Sequence, residues 1–165
     1  MSGRTNRPPN RARKPTQTVI HQKEPEPFRV LLAIHRPRYR ARAERAVAFE
    51  GWAVRSLLNR EDPIGRMGQK RPDLFIVSVD LAKRQNIGYL RAAQRYRQEG
   101  MRIIALFEND EEARESADLC DVFLVSPWRT ADLREVAASL HMTIRGAPPL
   151  QSITHDDAED ETAGR

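Results

Sequence analysis

The chain has 165 residues, of which 28 are Lys or Arg and 23 are Asp or Glu, giving a formal net charge of +5. Its longest apolar runs, Val30–Ile34 and Ile103–Phe107, fall far short of the roughly 20 residues that a transmembrane helix needs. Cys120 is the only cysteine, which excludes an internal disulfide and a Cys-x-x-Cys motif. Because no basic-then-apolar leader opens the sequence, we expect a cytoplasmic protein without membrane contact.

The two ends of the sequence differ in charge from the centre. Residues 1–27 carry six basic groups, and those before position 15 are Arg4, Arg7, Arg11, Arg13 and Lys14. Residues 142–165 carry five acids, all between Asp156 and Glu161. Both ends lack apolar periodicity and cannot bury enough surface to offset the entropy of ordering. We therefore predict a disordered basic arm (1–27), one domain (28–141) and a disordered acidic tail (142–165).

Five segments of the predicted domain are interpreted as strands of a buried type, and the first of them, Phe28–Ile34, has the apolar character expected of a strand that is buried on both faces. They are Phe28–Ile34, Trp52–Leu58, Asp73–Asp80, Arg102–Phe107 and Asp121–Val125.

Each predicted strand is followed by a segment with helical spacing or a helix cap. The predicted helices are Arg38–Phe49, a short helix that begins at Pro63 behind an Asp62 cap, Asn86–Gln98, a helix from an Asn109 cap to Ala117, and a helix from a Thr130 cap to about Leu140. This alternation predicts a parallel sheet covered by helices on both faces. The doubly wound order 2-1-3-4-5 is one of the common topologies.

Four short motifs occur at the ends of these strands. They are Arg29–Leu32 with Pro37 behind it, Gly51–Val54, Arg71–Val77 and Phe123–Trp128. In order and spacing they resemble the receiver domain of bacterial response regulators over residues 28–140. The resemblance implies a flavodoxin-like, doubly wound fold with strand order 2-1-3-4-5.

The receiver family transfers a phosphoryl group to an aspartate with the help of Mg²⁺, and the resemblance implies where its functional positions fall. The acidic pair that holds Mg²⁺ falls on Ile34 and His35, and the acceptor aspartate falls on Ser78. The Thr or Ser position falls on Phe107, and the Lys position falls on Ser126. Without the two carboxylates Mg²⁺ lacks its oxygen ligands, and serine lacks the carboxylate nucleophile. We therefore predict a pseudo-receiver that has lost the phosphorylation site and holds neither metal nor cofactor.

Asp80 offers an alternative acceptor. It lies two residues after Ser78, so both side chains can face the same side of an extended strand. Glu108 follows the adjacent strand, and the two carboxylates together could bind a metal. The simpler interpretation is a strand-ending acid and a solvated Glu108. By the same reasoning we interpret His35 as a solvated loop residue, and Cys120 as a small buried residue.

Two groups of side chains are candidates for binding a partner. Arg38, Arg42 and Arg45 share one face of the first predicted helix and, with the basic arm, would suit an acidic partner or a nucleic-acid backbone. Phe123 falls on the family's switch aromatic, and Trp128 follows the Ser126–Pro127 bond, which the resemblance suggests is cis. Both lie on the face of the fourth predicted helix, fifth strand and fifth helix, where receivers commonly dimerise, and are candidate interface anchors. In the alternative interpretation the arginines form a solvated face and the aromatic residues pack inside the domain.

These observations lead to one main hypothesis and two alternatives. The main hypothesis is a non-phosphorylatable, non-enzymatic pseudo-receiver that acts through protein–protein contact. The first alternative is a nucleic-acid-associated protein that uses the basic arm and the Arg-rich helices. The second is a phosphorylatable response regulator that uses Asp80.

Overall fold

Five parallel strands form one sheet in the computed structural model, which describes residues 24–58 and 60–151. In chain order the strands are β1 (Phe28–Ala33), β2 (Trp52–Ser56), β3 (Leu74–Val79), β4 (Arg102–Phe107) and β5 (Val122–Val125). Their order across the sheet is β2-β1-β3-β4-β5, so the predicted topology is confirmed. The predicted nucleic-acid contacts of the basic arm, Arg4, Arg7, Arg11, Arg13 and Lys14, lie outside the described residues.

Six α-helices connect and follow the strands in the described part of the chain. They are α1 (Pro37–Ala46), α2 (Pro63–Gln69), α3 (Ile87–Ala92), α4 (Gln94–Gln98), α5 (Asp110–Ser116) and α6 (Thr130–Arg145), with a short 3₁₀ turn at Ala117–Leu119. Among these residues every helix is too short or too polar to cross a lipid bilayer.

Helices cover both faces of the sheet, because side chains of a strand alternate between the two faces. On one face α2 to α5 pack over side chains such as Phe75, Val77 and Ile103. On the other face α1 and α6 pack over side chains such as Ile76 and Ile104. The central strand β3 is buried along its whole length, which explains why all of its residues except Ser78 are apolar.

Two predicted helix caps are confirmed. Asp62 accepts hydrogen bonds from the backbone N–H groups of Ile64 and Gly65 at 3.0 and 3.1 Å. Asn109 accepts one from the N–H of Glu112 at 3.0 Å. Both caps satisfy donors that the first helical turn leaves free.

The predicted helix Asn86–Gln98 is wrong as a single element, because the helix breaks at Ala93 between α3 and α4. Tyr96 N–H donates to the Ala93 carbonyl at 3.0 Å, an i to i+3 bond that tightens the backbone there. The side-chain amide of Gln94 donates to the carbonyls of Leu90 and Leu119 at 2.9 and 2.6 Å. It thus ties α3 to the segment before β5.

The predicted first helix also ends early. Instead of continuing to Phe49, α1 ends at Ala46, and Val47 leaves the helical conformation. Phe49 turns into the core, where its ring centroid lies 4.5 Å from that of Trp52. Burial of this aromatic pair outweighs the helical spacing of the sequence.

The last helix starts and ends differently from the prediction. Thr130 is its first residue and not its cap; Arg129 is the N-cap, and its N–H donates to Asp132 at 3.2 Å. The helix continues beyond Leu140 to Arg145, whose guanidinium reaches Asp73 at 3.2 Å. Gly146 (φ 72°) ends it in the left-handed conformation that glycine adopts easily.

Candidate functional site

The parallel strands end together at one edge of the sheet, and this edge carries the five residues on which the resemblance places the receiver's functional positions. In the strand register Ala33 lies opposite Val77, so Ile34 and His35 leave β1 beside Ser78 of β3. On β4, Phe107 lies opposite Val125 of β5, directly before Ser126. The fold therefore assembles the five positions at the edge that the resemblance implied, and the chemistry of the edge depends on what their side chains do.

A hydrogen-bonded Ser78–His35 pair fills the acceptor position. Ser78 is only 4% exposed. Its Oγ lies 2.8 Å from His35 Nδ1 and accepts a bond from the backbone N–H of His35 at 3.3 Å. The Ser78 carbonyl accepts a bond from the Asn86 side-chain amide at 2.8 Å. The serine is thus held by the loops after β1 and β3, and the pair closes this position.

His35 is a half-buried residue and not the solvated loop residue that the sequence suggested. Burial, followed by the positive charge of Arg36, lowers the pKa of His35 below its ordinary 6.5. Its Nε2 is buried and has no hydrogen-bond partner among the described residues. A Ser–His pair is therefore present, but His35 Nε2 bonds to no carboxylate among the described residues, and a hydrolase needs such a bond to orient the imidazole as its base.

Apolar side chains occupy two other functional positions. Ile34 and Phe107 are each 2% exposed and belong to opposite faces of the core. The Phe107 ring meets that of Phe123 edge-on, with 6.3 Å between centroids. Neither side chain has an oxygen atom that could hold a cation or a phosphoryl group.

Ser126, at the position of the family's lysine, bonds to the first helix. Its Oγ lies 3.0 Å from the Tyr39 hydroxyl, and its backbone N–H donates to the Phe107 carbonyl at 2.9 Å. The Ser126–Pro127 peptide bond is cis, as the resemblance suggested.

Trp128 is a core residue, which corrects its interpretation as an interface anchor. It is 4% exposed, and its ring centroid lies 5.6 Å from that of Tyr39. The Arg42 guanidinium sits over the indole ring at 5.5 Å from its centroid and donates to the Trp128 carbonyl at 3.1 Å. Tyr39 and Arg42 thus cover the indole from α1. Phe123 on the edge strand β5 is, by contrast, 39% exposed.

The arginine face of α1 is engaged in contacts within the domain. Arg42 covers Trp128, and the Arg45 carbonyl accepts a bond from Arg134 of α6 at 3.4 Å. Arg38 and Arg45 are exposed to solvent, whereas Arg42 is half-buried. Of the three predicted partner contacts, Arg42 therefore has a structural role that fixes α1 against the β5–α6 loop.

Asp80 and Glu108 pair with different cations. Asp80 is 5% exposed; its carboxylate accepts the backbone N–H of Lys83 at 3.0 Å and lies 3.7 Å from the Lys83 ammonium. Glu108 pairs with Arg36 at 3.4 Å. Within residues 24–58 and 60–151 no group of three or more His, Cys, Asp or Glu side chains could hold a metal ion. Asp80 thus stabilises the turn after β3, and Glu108 is half-buried.

The site contains two residues whose roles the sequence did not reveal. Tyr39 lies within the first predicted helix with no role assigned to it, yet its hydroxyl meets Ser126 and its ring covers Trp128. Asn86 was placed inside a helix, yet it adopts a left-handed conformation (φ 63°) before α3 and bonds to the Ser78 carbonyl. Asparagine tolerates this conformation better than most residues, which was the one signal available.

Comparison with known proteins gives matches in structure and none in sequence. No family model matches the chain, and no curated protein matches its sequence. Among solved structures, an orphan response regulator of H. pylori matches with 18% identity and a TM-score of 0.56, over 70% of this chain and 98% of that one. A response regulator from Thermotoga maritima matches with 17% identity and a TM-score of 0.56, over 69% of this chain and 97% of that one.

A third match is the response regulator TrrA from Thermotoga maritima, whose structure is a complex with Mg²⁺ and BeF. It has 21% identity and a TM-score of 0.55, over 68% of this chain and 97% of that one. The matched structures are covered nearly from end to end, and together with the strand order they show that the described domain has the receiver-like, flavodoxin-like fold.

Proposed function

We propose that this protein is a non-phosphorylatable, non-enzymatic pseudo-receiver of the cytoplasm that acts by binding other protein chains. The observation that carries the proposal is the acceptor position. There Ser78 is 4% exposed and bonds to His35 at 2.8 Å, in place of a solvent-accessible aspartate.

The missing groups correspond to separate requirements of phosphoryl transfer. The family's reaction needs a carboxylate nucleophile, and Ser78 supplies a hydroxyl that already bonds to an imidazole. It needs oxygen ligands for Mg²⁺, and the chain has Ile34 and His35 at those positions. It also needs a cation at the position of Ser126, which bonds to Tyr39 instead. Restoring any one of them would leave the others missing.

A receiver switches between two conformational states when its aspartate is acylated. A domain that is not acylated stays in one state, so its interaction surface does not change. The best-placed surface is the edge strand β5 with its flanking helices α5 and α6. Phe123 lies there at 39% exposure, and burying an aromatic side chain contributes strongly to an interface. We propose that this α5–β5–α6 face forms a homodimer.

Phosphorylation is tested by incubating the full-length protein with acetyl phosphate and Mg²⁺ and measuring its intact mass. We expect no added phosphoryl group. A His35→Asp, Ser78→Asp double variant restores two family residues and serves as the comparison. A phosphoryl adduct on the native chain contradicts the proposal, and its loss in Asp80→Asn would assign the acceptor to Asp80.

The dimer face is tested by sedimentation velocity over a range of concentrations. The matched pair of variants is Phe123→Ser on β5 and Val54→Ser on β2, since Val54 is similarly exposed (36%) on the opposite edge strand. We expect Phe123→Ser to weaken self-association at least tenfold, equivalent to about 1.4 kcal/mol, and Val54→Ser to leave it unchanged. A native monomer, or equal effects of the two variants, contradicts this face.

The nucleic-acid alternative depends on the charge of the basic arm. This charge is removed, with the sequence of the domain unchanged, by a variant of the full chain that carries Gln at five positions: Arg4, Arg7, Arg11, Arg13 and Lys14. If the arm neutralised phosphates, the native chain would bind DNA with a slope of log K against log salt near −0.9 per phosphate contacted, and the variant would lose most of it. We expect only weak retention of the native chain, because the arm lacks aromatic residues for base stacking.

A further inference from the structure

A basic groove lies between the edge strand β2 and the helix α2. It has a volume of about 370 Å³. Arg29 pairs with Ala53 and Leu31 pairs with Arg55 in the strand register, so these side chains share one face of the sheet. The helix α2 above them has only seven residues, and its end supplies Arg66 and Lys70. The short helix leaves this part of the sheet open.

The groove has an apolar floor and a positively charged rim. Its lining includes four cationic side chains: Arg29, Arg55, Arg66 and Lys70. Glu61 bridges two of them, at 2.9 Å from Arg55 and 3.1 Å from Arg66. Arg29 pairs with Glu26 at 3.6 Å, but its Nε is buried and has no hydrogen-bond partner in the described part of the chain. The groove therefore presents more cations than acids and one unsatisfied buried donor.

The described part of the chain ends near the start of β2, one of the strands that line this groove. After α6 the backbone returns to the start of β2, where the Gln151 carbonyl accepts a bond from Glu50 N–H at 3.1 Å. The next residues, 152–165, hold all five acids of the C-terminal segment, between Asp156 and Glu161. An extended chain spans about 3.3 Å per residue, so five residues beyond Gln151 reach roughly 17 Å. From Trp52 to Arg55 the strand rises only about 10 Å.

We propose that the acidic C-terminal segment, residues 152–165, docks in the basic groove between β2 and α2. Complementary charge attracts the segment, and its attachment at Gln151 keeps it near the groove at an effective concentration that short linkers place in the millimolar range. The groove lies at the β2 edge of the sheet and the proposed dimer face lies at the β5 edge. The docking is therefore independent of the dimer face and of phosphorylation.

The docking is measured by paramagnetic relaxation enhancement on the full-length protein. A nitroxide is attached to Ala158→Cys; the native thiol stays unlabelled because Cys120 is buried, which raises its pKa to about 11. We expect the amide signals of Ala53, Arg55 and Lys70 to broaden at low salt. The broadening should fade toward 1 M salt, where the Debye length falls to about 3 Å.

Two matched comparisons separate the groove from general electrostatic attraction. Arg66→Gln with Lys70→Gln should reduce the broadening at Ala53 at least twofold. Arg91→Gln with Arg114→Gln removes the same charge from exposed positions on α3 and α5 and should leave it unchanged. Broadening that is absent, lies elsewhere or responds equally to both pairs overturns the proposal. A mixture of spin-labelled protein without isotope label and ¹⁵N-labelled protein that has no spin label detects docking between chains. If the broadening arises only between chains, the proposal is also overturned, because the groove then binds the segment of a second copy.

Discussion

The burial of Trp128 leads to a quantitative prediction about stability. The side chain is 4% exposed and contacts the Tyr39 ring and the Arg42 guanidinium. Truncating a buried large aromatic costs about 3–5 kcal/mol, against a total stability of about 5–15 kcal/mol for a typical domain. We therefore expect Trp128→Ala to lower the free energy of unfolding by about 3–5 kcal/mol, measured by urea titration.

A double-mutant cycle then isolates the contact between the cation and the ring. Arg42→Met keeps the aliphatic stem and removes the guanidinium, and a cation over an indole contributes about 0.5–2 kcal/mol. The bond from Arg42 to the Trp128 carbonyl is made to the backbone, so it survives Trp128→Ala and cancels in the cycle. We expect a coupling energy of about 1 kcal/mol. A loss within about 0.5 kcal/mol for Trp128→Ala, as for an exposed residue, would refute the buried position.

Three further predictions concern buried polar groups. Burial lowers the pKa of His35, so on acidification the unfolded state takes up the proton before the folded state does. The free energy of unfolding should therefore fall as the pH drops from about 6.5 through the pKa of the folded state, by about 1.4 kcal/mol per unit of pKa difference. Urea titrations at several pH values should show this loss in the native chain but not in His35→Gln. Asp121 accepts a hydrogen bond from the Ile103 N–H at 2.8 Å and lies 3.3 Å from two arginines. Asp121→Asn should therefore lower the free energy of unfolding by about 1.5–3 kcal/mol. The exposed control Asp118→Asn should lower it far less. Burial raises the pKa of the Cys120 thiol to about 11, so iodoacetamide should modify it only in denaturant, and rapid modification of the folded protein would contradict its burial.

The central strands could be predicted from sequence because the interior of a parallel sheet buries both faces of a strand, whereas the edge strands β2 and β5 are largely exposed or half-buried. Apart from Ser78, the run Asp73–Asp80 is apolar between its two aspartates, and β3 is buried throughout. The helix caps Asp62 and Asn109 were also predictable, since a cap depends on side-chain chemistry within one turn.

Helix ends that depend on tertiary contacts could not be predicted in the same way. The break at Ala93 has no Gly or Pro to mark it and involves the long-range bond from Gln94 to Leu119. The extension of α6 is stabilised by Arg145, which reaches Asp73. Only Gly146, a residue typical of helix ends, signalled the later boundary.

At the site, the residue types could be taken from the sequence, but the contacts that these residues make could not. That serines stand at positions 78 and 126 follows directly from the sequence. That Ser78 bonds to His35, and Ser126 to Tyr39, depends on distances between residues 43 and 87 positions apart in the chain. For the same reason the sequence left open whether Trp128 is an interface anchor or packs inside the domain, and the contacts from α1 show that it is buried.

The central claim of the proposal is that the sheet edge at His35 and Ser78 does not hold a divalent cation, and Mn²⁺ titration followed by NMR tests it most directly. Mn²⁺ substitutes for Mg²⁺ at oxygen ligands and broadens signals of nearby nuclei. We expect no saturable broadening of the His35 and Ser78 amides in the native chain, and saturable broadening there in the His35→Asp, Ser78→Asp variant. Saturable broadening centred on these residues in the native chain would contradict the account.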